Sequence, residues 1–120
     1  MATAKYVDGF VLPLPKKNLA AYRKLATVAA RVWREHGALE YRECIGEDIA
    51  VKFGVPFSTN LELKRGEIAV FSWIAYKSRK HRDAVNAKVM ADPRLHMDGK
   101  KMPFDVKRMV YGGFDVLVGF

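Results

Sequence analysis

The chain has 120 residues, of which 50% are hydrophobic and 28% charged, an ordinary globular composition with room for one core and no second domain. Its single cysteine, Cys44, excludes an intrachain disulfide, a CxxC redox motif and a cysteine zinc site. Lys and Arg outnumber Asp and Glu by 21 to 13, a net charge of +8, which draws phosphates or acidic surfaces at long range. The basic residues run from Lys16 to Arg108 and concentrate on the expected helices and on Gly99-Lys100-Lys101, as a solvated face does. No stretch approaches the roughly 18 to 20 apolar residues that cross a bilayer, and the first residues carry no basic-then-apolar signal pattern. The expectation is a cytoplasmic protein with no membrane contact.

Residues 6–14, YVDGFVLPL, are rich in β-branched and aromatic side chains and end at prolines that cannot continue a ladder, which predicts a first strand. From Lys16 to His36 the apolar residues Leu19, Tyr22, Leu25, Ala26, Ala29, Val32 and Trp33 recur at spacings of three and four, the stripe of an amphipathic helix. Gly37 stops it as a left-handed cap. Residues 38–48 predict a second strand, with Leu39, Tyr41 and Ile45 on one side and Glu40, Arg42 and Cys44 on the other. Ile49 to Leu63 has no period and predicts a loop with room for a short strand.

A third strand is expected from Glu67 to about Lys77. Ser78 then caps a helix that reaches about Ala91, before Asp92-Pro93 ends it. A long loop over 92–107 precedes a fourth strand, 108–118, in which Tyr111-Gly112-Gly113-Phe114 predicts a bulge or kink.

The order is β-α-β-β-α-β, an α+β ferredoxin-like unit with an antiparallel four-stranded sheet carrying both helices on one face. In strand three Ile68, Val70, Ile74 and Tyr76 point one way and Ala69, Phe71, Trp73 and Ala75 the other, so both faces are apolar. Helices cover only one of them. The second apolar face predicts a two-fold homodimer packed sheet against sheet.

Three long segments, YVDGFVLPLPKKNLAAYRKLATVAARVWREHGALEYRE, FSWIAYKSRKHRDAVNAKVMADPR and MPFDVKRMVYGGFDVLV, closely resemble the YbaA-like bacterial family, a domain of unknown function. The resemblance spans nearly the whole chain. It implies a dimeric α/β barrel, a superfamily of small monooxygenases, haem-degrading enzymes and proteins without established chemistry, whose ligand pockets commonly lie between helices and sheet. Haem-degrading members use an asparagine on strand one, a tryptophan on strand three and a histidine on the next helix. Here Trp73 and His81 stand in such places, but Asp8 replaces the asparagine and the Trp-to-His interval is shorter, so haem chemistry does not transfer.

The residues themselves name no metal site, since the three histidines form neither HxxxH nor HExxH, and they name no cofactor. His81, in the first turn of a helix, is favoured as a neutral ring and suits a general base. Among the strand carboxylates Asp8, Glu40, Glu43 and Asp115, each needs a partner such as Arg42 or a raised pKa. Asp8 beside Trp73 or Tyr76 would give an acid or base in an aromatic-walled pocket.

Two functional classes follow. The first is a small-molecule site, oxygenase-like by fold analogy alone, with Asp8 and His81 as catalytic candidates and Arg42, Trp73, Tyr76 and Arg79 as ligand contacts. The second is a non-enzymatic interaction module, with Arg79, Lys80 and Arg82 as a basic rim for an acidic partner or RNA. RNA stacking on the sheet is disfavoured, because Arg65-Gly66-Glu67-Ile68-Ala69-Val70-Phe71-Ser72 lacks all three stacking aromatics of the RNA-recognition motif.

Overall fold

The computed structural model describes residues 3–96 and 101–120, which leaves Gly99 and Lys100 of the basic cluster outside the described residues. Strand β1 (Tyr6–Pro15) passes through a 3₁₀ turn into helix α1 (Leu19–Glu35). Strand β2 (Glu40–Ile45), the one-turn helix α2 (Phe57–Asn60), strand β3 (Glu67–Tyr76) and helix α3 (Arg79–Met90) follow, and two further 3₁₀ turns precede strand β4 (Val110–Asp115). All neighbouring strands are antiparallel, in the order β2-β3-β1-β4. The expected ferredoxin-like order is therefore observed.

Local chemistry sets the helix ends. At the end of α1, Gly37 takes φ of 110°, its N–H donates to the Arg34 carbonyl, and the Ala38 N–H donates back to Trp33 at 3.0 Å, a Schellman closure. At the start of α3, Ser78 Oγ accepts the His81 N–H at 3.0 Å.

Alternation along β1 and β3 divides the sheet. Tyr6, Leu12, Leu14, Val70, Ile74 and Tyr76 are buried on the face that meets Tyr22 and Val32 of α1 and Val85 and Val89 of α3. On the opposite face Ala69 is buried, and Phe57 of α2 packs edge-on against Phe71 with ring centres 6.1 Å apart. The turn that follows α2 is pinned by Arg108, whose guanidinium donates to Glu67 at 2.6 Å and 3.0 Å and to the Leu61 and Glu62 carbonyls. Farther along, Phe71 (43% exposed), Val110 (59%) and Phe114 (62%) stay uncovered.

Three expectations change. The 49–63 segment holds a helical turn, α2, in place of a short strand. Strand β4 stops at Asp115, whose partner Tyr6 begins β1, and a single further bond, from the Val116 N–H to the Lys5 carbonyl at 2.9 Å, closes the pairing. Tyr111 to Phe114 pair in continuous register without a bulge; Gly113 is needed for space, since a Cβ there would run into the Tyr6 side chain, whereas Gly112, opposite Gly9, has room for one.

Removing the cap by Ser78→Ala is expected to cost about 1 kcal/mol in denaturant unfolding, with Ser78→Asp restoring most of it. Equal stability of wild type and Ser78→Ala would show that the cap contributes nothing.

Candidate functional site

Helix α1 meets the sheet with an uneven stripe. Tyr22, Ala26, Ala29 and Trp33 lie one above another, so two small side chains sit between two large aromatic ones. The alanines leave a hollow that the sheet cannot fill, and a cavity of 310 Å³ results. Phe10, Leu12 and Ile74 form its sheet wall, and Phe104, Met109 and Leu95 come from the connections beside β4 and α3.

One carboxylate stands in this apolar lining, that of Glu43 on β2. Strand parity puts it on the same face as Tyr41, whose hydroxyl donates to Glu43 Oε2 at 2.6 Å. Tyr22 reaches across from α1 and donates to Oε1 at 2.7 Å. Burial, reinforced by the Glu43 charge and these hydrogen bonds, pushes both phenols far above their ordinary range, so each remains a proton donor. The Tyr41 ring packs on Trp33 at 5.8 Å between centres and the Tyr22 ring on Phe104 at 5.8 Å. Four aromatic rings in two pairs therefore flank one carboxylate.

Asp8 belongs to a different cluster. It is 4% exposed and accepts from Arg82 Nη1 at 2.6 Å, while the same guanidinium lies 5.0 Å over the Tyr6 ring. Tyr76, fully buried beside it, donates to Asn86 Oδ1 at 3.1 Å and accepts from Trp33 Nε1 at 3.1 Å. Burial pushes the Asp8 carboxyl above its ordinary value, with Arg82 and Asn86 pulling against it. The ring of His81 stands edge-on to Tyr76, and its Nδ1 accepts the Lys77 N–H at 3.0 Å, leaving Nε2 as its remaining polar atom.

The other candidates lie elsewhere. Asp8 pairs in register with Ile74 and so shares its face, which puts Trp73 on the opposite side of the sheet. There Trp73 Nε1 donates to Glu40 at 2.5 Å, and Arg42 lies 4.0 Å from the same carboxylate. Arg79 is exposed beside Asp83 at 3.9 Å. The structure thus groups Asp8, Tyr76 and His81 near the start of α3, separates them from Trp73 and Arg42, and places none of the six on the 310 Å³ cavity. Tyr22, Tyr41 and Glu43 were missed as a set. The signals were the Tyr-Ala-Ala-Trp stripe of α1 and the shared parity of Tyr41 and Glu43. Among the described residues no three or more His, Cys, Asp or Glu gather as a metal site, and no helix is long and apolar enough to cross a membrane.

An acid raised on folding binds more protons in the native than in the unfolded state between its two pKa values, so its contribution to stability falls as pH rises through that window. The stability of wild type minus that of Asp8→Asn should therefore decrease as the pH rises from about 4 toward neutrality in denaturant titrations. A difference that stays constant or grows over this range would contradict the assigned direction.

Known proteins resemble this chain over nearly its full length. It is 45% identical over 114 residues to the protein described as "Uncharacterized protein YbaA" of Escherichia coli strain K12, covering 95% of this chain and 97% of that one. The same identity and coverage hold for the proteins of that description in Escherichia coli O157:H7 and Shigella flexneri. Residues 5–106 match the family described as "Protein of unknown function (DUF1428)", and the chain belongs to that family.

Proposed function

We propose that the protein binds a small, largely apolar aromatic molecule in the cavity between α1 and the sheet, with Glu43 as its polar anchor. The observation that carries this reading is one carboxylate held by two tyrosine hydroxyls in a mostly apolar 310 Å³ space, whose other polar lining side chains among the described residues are Ser72 and His96. Apolar concavities with a few fixed polar groups are the usual form of small-molecule sites. The cavity also lies where the family resemblance leads one to expect it. An oxygenase-like reaction would rest on fold analogy alone, so the proposed activity is binding. A thermal-shift screen of aromatic metabolites and quinones tests it. A ligand at about 100 times its dissociation constant contributes about 2.7 kcal/mol, which raises the melting temperature of a chain of this size by on the order of 8 °C. Wild type should show such shifts and Ala26→Phe, which fills the cavity, should not; shifts of equal size in both would remove the cavity from the account.

The uncovered sheet face favours a second property, association of two copies. Val7, Val11, Phe71, Trp73, Val110 and Phe114 line a shallow apolar trough there. A two-fold axis would set this self-similar surface against its own copy, as the resemblance to dimeric α/β barrels also implies. The competing basic rim on α3 has less support, because Arg82 is engaged by Asp8 and Asp83 and Arg79 lies beside Asp83. Light scattering at micromolar concentration is expected to give twice the chain mass, and Phe114→Asp to give the single-chain mass. A monodisperse monomer for wild type would defeat the dimer.

A further inference from the structure

The polar anchor has a charge as well as a shape. Each Glu43 oxygen accepts one tyrosine hydroxyl, whereas a carboxylate offers about four acceptor positions, so about half of its capacity is unused by these two bonds. Among the described residues Glu43 has no ion-pair partner within 4.0 Å. The nearby basic side chains Arg23 and Arg42 line a second cleft between α1 and β2, which Tyr22, Tyr41 and Glu43 border as well, but neither pairs with Glu43, and Arg42 turns toward Glu40. No Lys or Arg lines the cavity itself among the described residues. The tyrosines supply hydrogen bonds without supplying countercharge. A half-buried anion in apolar surroundings gains most from a cation that brings its own apolar body.

The surrounding rings strengthen the same preference. Tyr22, Trp33, Tyr41 and Phe104 line the cavity together with Glu43, and aromatic rings beside an acidic residue are an arrangement by which organic ammonium groups are recognised. An anionic ligand would meet the Glu43 carboxylate and be repelled by it. The overall charge of +8 does not reverse this, because most of the basic residues are exposed and screened and the less exposed Arg82 and Arg108 are paired with Asp8 and Glu67.

We propose that the ligand of this cavity is an organic cation, an amine carrying an aromatic or similarly apolar body, whose ammonium group binds the Glu43 carboxylate between Tyr22 and Tyr41. This rests on the cavity being the binding site and adds the ligand's charge. The test is calorimetric titration of wild type and Glu43→Gln with three probes of one aromatic body and different heads: naphthylmethylamine, naphthalenemethanol and naphthoate. A charge-assisted hydrogen bond in place of a neutral one predicts that the amine binds wild type about tenfold or more tightly than the alcohol, with the acid weakest. Glu43→Gln should abolish the amine's advantage and leave the alcohol within about twofold of its wild-type affinity. Equal binding of amine and alcohol to wild type, or tighter binding of the acid, would overturn the cationic ligand while leaving the cavity as a site. If none of the three binds wild type, both the cation and the cavity reading fail. The wild-type series decides between these outcomes even if Glu43→Gln does not fold.

Discussion

A four-stranded sheet with apolar side chains on both faces and two long helices to cover them can be satisfied on only one side. This constraint governs the rest of the molecule. Helices α1 and α3 take the face that carries Tyr6, Leu12, Leu14, Val70, Ile74 and Tyr76, and burial there is nearly complete. The short α2 segment covers one end of the other face, where Ala69 is buried and Phe57 meets Phe71. What remains uncovered is the trough around Trp73 and Phe114. At roughly 25 cal/mol per Å² of apolar surface, leaving such a patch in water is a sizeable loss for a small domain, which is why a second copy of the chain is the proposed occupant.

The covered face is itself imperfectly filled, and the imperfection is local. Leucine or phenylalanine in place of Ala26 and Ala29 would close the space between α1 and the sheet, as the larger Val32, Val85 and Val89 close it nearer Tyr76. The two alanines sit between Tyr22 and Trp33 along α1, and the carboxylate that lines the space beside them is hydrogen-bonded from two elements at once. A carboxylate that fixes two phenols restricts both ring orientations, so the wall of the proposed ligand site is set before anything enters. The Asp8–Arg82 pair has a different character. It is closed by Tyr6 and Asn86, close to the Tyr76–Trp33 hydrogen bonds, and ties α3 to β1.

The sequence made the strands and helices legible where one periodicity ran unopposed. The stripe of α1, the alternation of β3 and the Gly37 and Ser78 caps are local properties, and each was found within a residue or two of its expected place. The strand carboxylates were singled out too, but their roles depend on pairing across the fold. Asp8 meets Arg82 at a separation of 74 residues, and Glu43 meets Tyr22 only because α1 crosses β2 at that height. Strand register, absent from any one segment, decides that Asp8 faces away from Trp73. Tyr111 to Phe114 misled for a related reason: Gly113 answers to Tyr6 on the neighbouring strand, a demand for space that the sequence expresses in the same letters as a bulge.

The central claim is that ligands enter on the helix side of the sheet and reach Glu43. It is tested most directly by nuclear magnetic resonance on protein carrying carboxyl-labelled glutamate and ring-labelled tyrosine, titrated with an aromatic compound that stabilises the protein. The account predicts that the Glu43 carboxyl signal and the Tyr22 and Tyr41 ring signals move together and saturate at one ligand per chain, while Glu40 and Tyr111 stay in place. Saturable shifts at Glu40 and Tyr111 with Glu43, Tyr22 and Tyr41 unmoved would contradict it.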